Sequence, residues 1–158
     1  MIFISFNTLL LIYSLLKGSP YVPTNNKTIL RILKEANLKK DKIFMELGSG
    51  DGRVTRLAVT QFGVKGIGFD INPLLVFWSN FLSKPILKDK KIIKFLNQDV
   101  LEADFKKADY LYLFLLPELI KKLIPRFNKQ LKKRAIIISH GFPIPGWEKK
   151  LIKKLDNK

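Results

Sequence analysis

Ile43-Phe44-Met45-Glu46-Leu47 runs straight into Gly48-Ser49-Gly50-Asp51-Gly52, and this stretch decides the fold. The first five residues read as a short buried strand and the three alternate glycines as a sharp turn. Val54, Leu57, Ala58 and Phe62 then recur at helical spacing until Gly63 stops the helix. Strand, glycine turn and helix form the opening unit of a doubly wound α/β sheet, whose ligands sit beyond the carboxyl ends of the strands. Alternate glycines let the backbone approach a ligand where a Cβ would collide. The helix that follows is expected to offer free first-turn amides to an anionic group.

Working outward, the same alternation continues. A helix is predicted over 28–36, before the first strand. A second strand covers 66–70, and Asn72-Pro73 opens an apolar helix through Leu75 and Trp78. The third strand is 92–96, and the fourth, 109–115, is almost wholly apolar, as a central parallel strand covered on both faces should be. A helix over 117–131 presents Leu119, Ile120, Leu123, Ile124, Phe127 and Leu131, with a kink expected at Pro125. A fifth strand covers 135–139. The predicted architecture is α/β: a Rossmann-like, doubly wound sheet of five parallel strands.

Composition bounds the rest. The chain has 158 residues, enough for one domain of ~150 residues with a sizeable core but not for two. With no Cys, disulfides, thiolate metal sites and cysteine nucleophiles are excluded, and one His excludes a multi-histidine metal centre. No metal is expected. The 29 basic and 13 acidic residues give a net charge of +16, which suits an anionic partner such as nucleic acid or phospholipid; a genome-wide bias toward lysine is the alternative source of that charge. The densest run, 121–134, holds seven basic residues and no acidic one, yet it also carries a core stripe.

Residues 1–16 carry no charge and are mostly Ile, Leu and Phe, ending at Lys17 and Gly18-Ser19-Pro20. As a helix they would reach ~24 Å, short of a ~30 Å hydrocarbon core. The segment lacks the basic start and cleavage site of a secretory signal and reads as a retained membrane anchor, with the lysines after it leaving the body on the cytoplasmic side. The competing reading is a first helix packed on a soluble, cytoplasmic domain. The division expected is an anchor-like helix at 1–17, a linker and leading helix at 18–37, and a ligand-binding domain at 38–158.

The spacing of the turn argues against a dinucleotide. The fingerprint G-x-G-x-x-G would need its third glycine at Arg53 rather than Gly52. Glu46 would repel a pyrophosphate but could accept from an ammonium group. Asp70 closes the second strand, where one carboxylate can accept from both hydroxyls of a ribose. Asp99, after the third strand, can accept from an exocyclic amine, and Val100 can wall a purine. Any one of these acids is ordinarily a cap or turn residue. Taken together, in this order, they describe a pocket for adenosine bearing a positively charged amino-acid tail.

Residues 44–52, then Gly68-Phe69-Asp70, then Asp99, resemble the class I S-adenosylmethionine-dependent methyltransferases over roughly 40–147. Pro20-Tyr21-Val22-Pro23-Thr24, Asp70-Ile71-Asn72-Pro73, Tyr112-Leu113-Phe114-Leu115-Leu116-Pro117 and Phe142-Pro143-Ile144-Pro145-Gly146-Trp147 are more specific. They resemble the small membrane-associated protein-lysine methyltransferases that act on the ATP synthase c subunit and the adenine nucleotide translocase, and their prokaryotic relatives. The resemblance implies S-adenosylmethionine held by Glu46, Gly48, Ser49, Gly50, Gly52, Asp70, Ile71, Asp99, Val100 and Leu115. It also implies a substrate channel near Tyr21, Pro23, Thr24, Leu116 and Pro117.

Two departures from that pattern stand out. Class I methyltransferases usually finish with a sixth and a seventh strand, and after the fifth strand only 147–158 remain, so the expectation is either a truncated chain or a sheet edge left bare, to be covered by a partner, a membrane or the N-terminal helix. The fourth strand ends in Leu115-Leu116-Pro117-Glu118, without the Asn/Asp-Pro-Pro-Tyr/Phe motif of amide and adenine-N6 methyltransferases. Glu118, His140 and Trp147 are the candidate catalytic residues, each with an ordinary structural explanation as helix-dipole partner, lone histidine or packing anchor. The resulting expectation is lysine methylation of a protein, with a membrane protein as the candidate substrate. An RNA methyltransferase and a non-catalytic, cofactor-binding or membrane-associated remnant are the alternatives.

Overall fold

The structure, a computed structural model, describes residues 24–88 and 92–155. The anchor-like segment 1–17 and two of the channel candidates, Tyr21 and Pro23, lie outside these residues. Among the described residues no helix is long and apolar enough to cross a membrane.

The elements in chain order are α1 (Asn26–Glu35), β1 (Ile43–Leu47), α2 (Arg53–Phe62), β2 (Lys65–Asp70), α3 (Pro73–Lys88), β3 (Ile93–Asn97), β4 (Tyr110–Leu113), α4 (Pro117–Gln130) and β5 (Ile136–Ser139). A single 3₁₀ turn (Glu148–Lys150) follows. Local chemistry sets the boundaries. Asn25 caps α1 by accepting from the Lys27 amide at 2.8 Å, and Gly63, at φ +69°, closes α2 in the left-handed conformation. α4 runs through Pro125, where a kink was expected, as one continuous helix. The ring sits on the exposed side, while Ile120, Leu123 and Phe127 hold the opposite face in the core.

All strand pairs are parallel and the order is β3-β2-β1-β4-β5. One core lies under α1, α2 and α3 and includes Ile29, Leu33, Phe44, Val59, Phe95 and Tyr112. The leading helix thus shares the domain's core rather than standing outside it. The other core lies under α4 and the β3–β4 crossover and includes Leu47, Phe105, Leu111, Leu113 and Phe127.

The segment after β5 changes faces. Phe142, Ile144 and Trp147 pack on the α4 side, whereas Leu155 packs against the α1 side and Lys153 pairs with Glu35 of α1. The chain after β5 therefore crosses from one face of the sheet to the other, and no sixth strand pairs with β5 among the described residues.

Candidate functional site

Strand order reverses between β1 and β4, and that reversal opens a crevice at the carboxyl end of the sheet. The loop 48–52 lies at its mouth with Gly48, Gly50 and Gly52 all at positive φ, +74°, +53° and +76°. A Cβ on Gly48 would lie 2.9 Å from Leu115 Cδ2, so the loop approaches the end of β4 closely.

Hydrogen bonds fix the loop from two sides. The Gly48 and Ser49 amides donate to the Phe69 carbonyl at 2.9 and 2.8 Å, and the Gly50 amide donates to Asp70 Oδ2 at 2.7 Å. From α3, Ser79 Oγ donates to the Gly50 carbonyl at 3.0 Å.

Two first-turn amides of α2, those of Arg53 and Thr55, are not open to an anion, contrary to the expectation from sequence. Thr55 donates both its amide (3.0 Å) and its hydroxyl (2.6 Å) to Glu46 Oε2, and the Arg53 amide donates to Asp51 Oδ1 at 3.1 Å. Two carboxylates therefore occupy the place a phosphate would take. Asp51 also grips the Arg53 guanidinium at 2.7 Å, and Arg53 Nη1 donates to the Thr24 carbonyl at 3.2 Å, which ties the start of the described chain to the loop. Glu46 is 4% exposed, and burial pushes its carboxyl up to about 8 against the two bonds from Thr55.

Asp70 is engaged on both oxygens, by Gly50 at Oδ2 and by the Asn72 amide at Oδ1 (2.9 Å), with a lone pair left on each. Burial raises its pKa. Ile71, half-buried, gives its carbonyl to Asn97 Nδ2 at 2.9 Å. Asp99 turns the chain after β3 by accepting from the Leu101 amide at 2.8 Å, while Val100 and Leu115 are buried in the α4-side core. Ser49 Oγ is buried and has no hydrogen-bond partner among the described residues.

The three catalytic candidates lie in different surroundings. Glu118 is on the surface, paired with Lys121 at 2.8 Å in the first turn of α4. Trp147 packs edge-on against Phe127, with Lys150 Nζ 3.7 Å above its ring. His140, at the carboxyl end of β5, stacks on Phe114 at 4.3 Å, and its Nδ1 lies 2.8 Å from the Tyr112 hydroxyl. His140 follows β5 at the carboxyl end of the sheet, and burial holds it below the usual histidine range. Leu116 is exposed and Pro117 half-buried at the rim.

A family model of the ANTKMT methyltransferase domain matches residues 46–151. The chain belongs to this family. A protein-lysine N-methyltransferase of Saccharolobus islandicus is 33% identical over 141 residues, covering 87% of this chain and 86% of that protein. The Homo sapiens lysine N-methyltransferase for the ATP synthase c subunit is 27% identical over 128 residues; the match covers 81% of this chain but 54% of the human enzyme, about half its length. Among solved structures, an RNA methyltransferase from Salinibacter ruber in complex with S-adenosyl-L-homocysteine superposes with a TM-score of 0.75 at 32% identity, over 80% of this chain and 82% of that one.

This member of the family is an S-adenosylmethionine-dependent methyltransferase of class I fold. Its site fits that cofactor. The cradle is built from left-handed glycines, the pyrophosphate position is closed by Glu46 and Asp51, and a buried Ser49 hydroxyl stands without a partner among the described residues beside the loop.

Sequence reasoning missed Thr55 and Ser79, two of the residues that hold the site in shape, and read Asn72 only as part of the Asn72-Pro73 helix start. Thr55, Asn72 and Ser79 are all buried polar side chains. Thr55 clamps Glu46, Asn72 caps α3 by accepting from Leu74 at 3.0 Å, and Ser79 holds Gly50. The cap was readable in Asn72-Pro73, since Asn before a first-turn Pro is a helix-start signal. Thr55 and Ser79 lie within helices and leave no comparable mark.

Proposed function

We propose that this methyltransferase N-methylates lysine in a protein substrate, one presented at a membrane. The observation that carries this reading is the likeness, over nearly the whole of both chains, to the Saccharolobus islandicus protein-lysine N-methyltransferase. The human relative, named for the ATP synthase c subunit, supports the membrane substrate, as does the uncharged run 1–16.

Asp70 would hold the ribose hydroxyls with the lone pairs left by Gly50 and Asn72. Glu46 and Ser49 would meet the amino-acid end, Asp99 the adenine amine, and Ile71, Val100 and Leu115 its faces, over the backbone of Gly48, Gly50 and Gly52. When bound, the cofactor supplies a methyl group activated by a sulfonium leaving group, so the protein's part is alignment. A lysine amine, with a free pKa of ~10.4, attacks only when neutral, and the apolar rim at Leu116 and Pro117 favours that form by desolvation. Thr24 would lie along the substrate's approach.

The test is transfer of labelled methyl from S-adenosylmethionine to a membrane-protein fraction and to total RNA in parallel. The expected result is N-methyl-lysine after acid hydrolysis of the protein. Label confined to RNA would overturn the reading and favour the second one, which the Salinibacter ruber structure and the basic run 121–134 support. That second reading also requires RNA affinity falling steeply with salt.

A further inference from the structure

We propose that α3 is a lipid-docking helix, whose outer face enters the interfacial region of an anionic bilayer. The inference stands apart from the choice of methyl acceptor.

α3 is apolar on two opposite faces. Leu75, Val76, Ser79 and Ser83 are buried against the domain. On the other side Leu74, Phe77, Trp78, Phe81 and Leu82 are exposed, Phe77 most of all at 69%. At ~100° per residue these five span an arc of roughly 140°, a continuous stripe rather than scattered apolar residues. Trp78 and Phe81 stack at 5.7 Å, making a flat aromatic surface. Helices apolar on all sides belong in a core, and a patch of this kind on a soluble face marks a contact with something else.

Charge identifies the partner. α3 contains no acidic residue, and Lys84 lies over the Phe81 ring at 5.1 Å on the flank of the stripe. The whole chain carries +16. A second copy would bring two such fields together and be repelled. A stripe of Phe, Trp and Leu flanked by Lys84, on a strongly basic chain, matches the boundary between acyl chains and anionic headgroups.

The stripe is also coupled to the site. Ser79, on the inner side of the same helix, holds the Gly50 carbonyl, and the described chain begins at Thr24, bound to Arg53 beside that loop. A bilayer under α3 therefore lies next to the cofactor loop.

The experiment uses the full chain with Trp147→Phe, its fold checked by thermal melting, so that Trp78 is the sole tryptophan. Vesicles of phosphatidylcholine and phosphatidylglycerol, plain or brominated, are then added. The expected result is a water-like Trp78 emission that shifts to the blue with vesicles and is quenched by bromolipid. In the wild-type background, Phe77→Ser with Phe81→Ser should lower vesicle partitioning at least tenfold. Four results overturn the proposal: a Trp78 that stays water-like on vesicle-bound protein; one already blue and unquenched, as if covered by the chain's own 1–16; a blue emission lost on dilution, as in a dimer; or unchanged partitioning of the double variant.

Discussion

Glu46 on β1 and Thr55 on α2 are joined by two hydrogen bonds to a single carboxylate oxygen, the hydroxyl at 2.6 Å and the amide at 3.0 Å. The pair is buried, so the clamp fixes the angle at which the glycine loop enters the helix. Thr55→Val removes the hydroxyl donor and leaves the carboxyl under-satisfied in a dry environment. The expected cost is about 1–3 kcal/mol of folding stability in urea titration, with the fold retained.

Glu46 makes stability depend on pH in an unusual direction. Its folded pKa, about 8, lies above the ordinary 4.5, so between these values the native state binds the extra proton. The contribution of this group is most favourable below pH 4.5, declines as pH rises, and levels off above about 8. Urea midpoints at pH 5, 7 and 9 should therefore fall relative to those of Glu46→Gln, whose profile lacks this slope. A difference between the two proteins that does not change with pH would show that Glu46 is ionised throughout.

Gly68 lies beneath the loop. A Cβ there would come within 2.4 Å of Phe95 Cδ1 and 2.8 Å of Ser49 Cβ. Gly68→Ala should displace Phe95 or Ser49 and cost roughly 1–3 kcal/mol, with weaker cofactor binding if Ser49 is what moves. Melting temperature and cofactor titration together separate the two effects.

Burial beside Glu46 raises the Tyr112 phenol above its usual range, so it keeps its proton. We assign that proton to the bond with His140 Nδ1, which leaves Nε2 carrying hydrogen and unable to accept one from lysine. His140→Ala should lower kcat less than tenfold and leave the acidic side of the pH–rate profile in place. A loss of roughly 10²-fold or more, with that side gone, would make His140 the general base.

The strand, loop and helix of residues 43–62 were legible because apolar run, alternate glycines and helical spacing follow one another without interruption. All five strands were legible too, with ends displaced by a residue or two where apolar residues such as Ile92 and Leu115 continue past the last ladder bond. The use of the α2 N-terminus was not legible. Glu46 meets Thr55 only after the loop has doubled back, and helical spacing does not reveal that an acid, rather than a ligand, satisfies the amides. The two-sided apolarity of α3 was present in the letters, but periodicity alone did not separate the face that meets β3 from the face that meets nothing among the described residues.

Asp70 binds the loop through Gly50 and keeps lone pairs free, so Asp70→Ala should weaken cofactor binding by ~1.5–3 kcal/mol, about 10- to 150-fold. Calorimetric titration of wild type and Asp70→Ala with S-adenosylmethionine, and of wild type with NAD, tests the central claim most directly. The account predicts micromolar binding of S-adenosylmethionine by wild type, a loss of that size in the variant, and no binding of NAD; equal affinity in the two proteins, or binding of NAD, would contradict it.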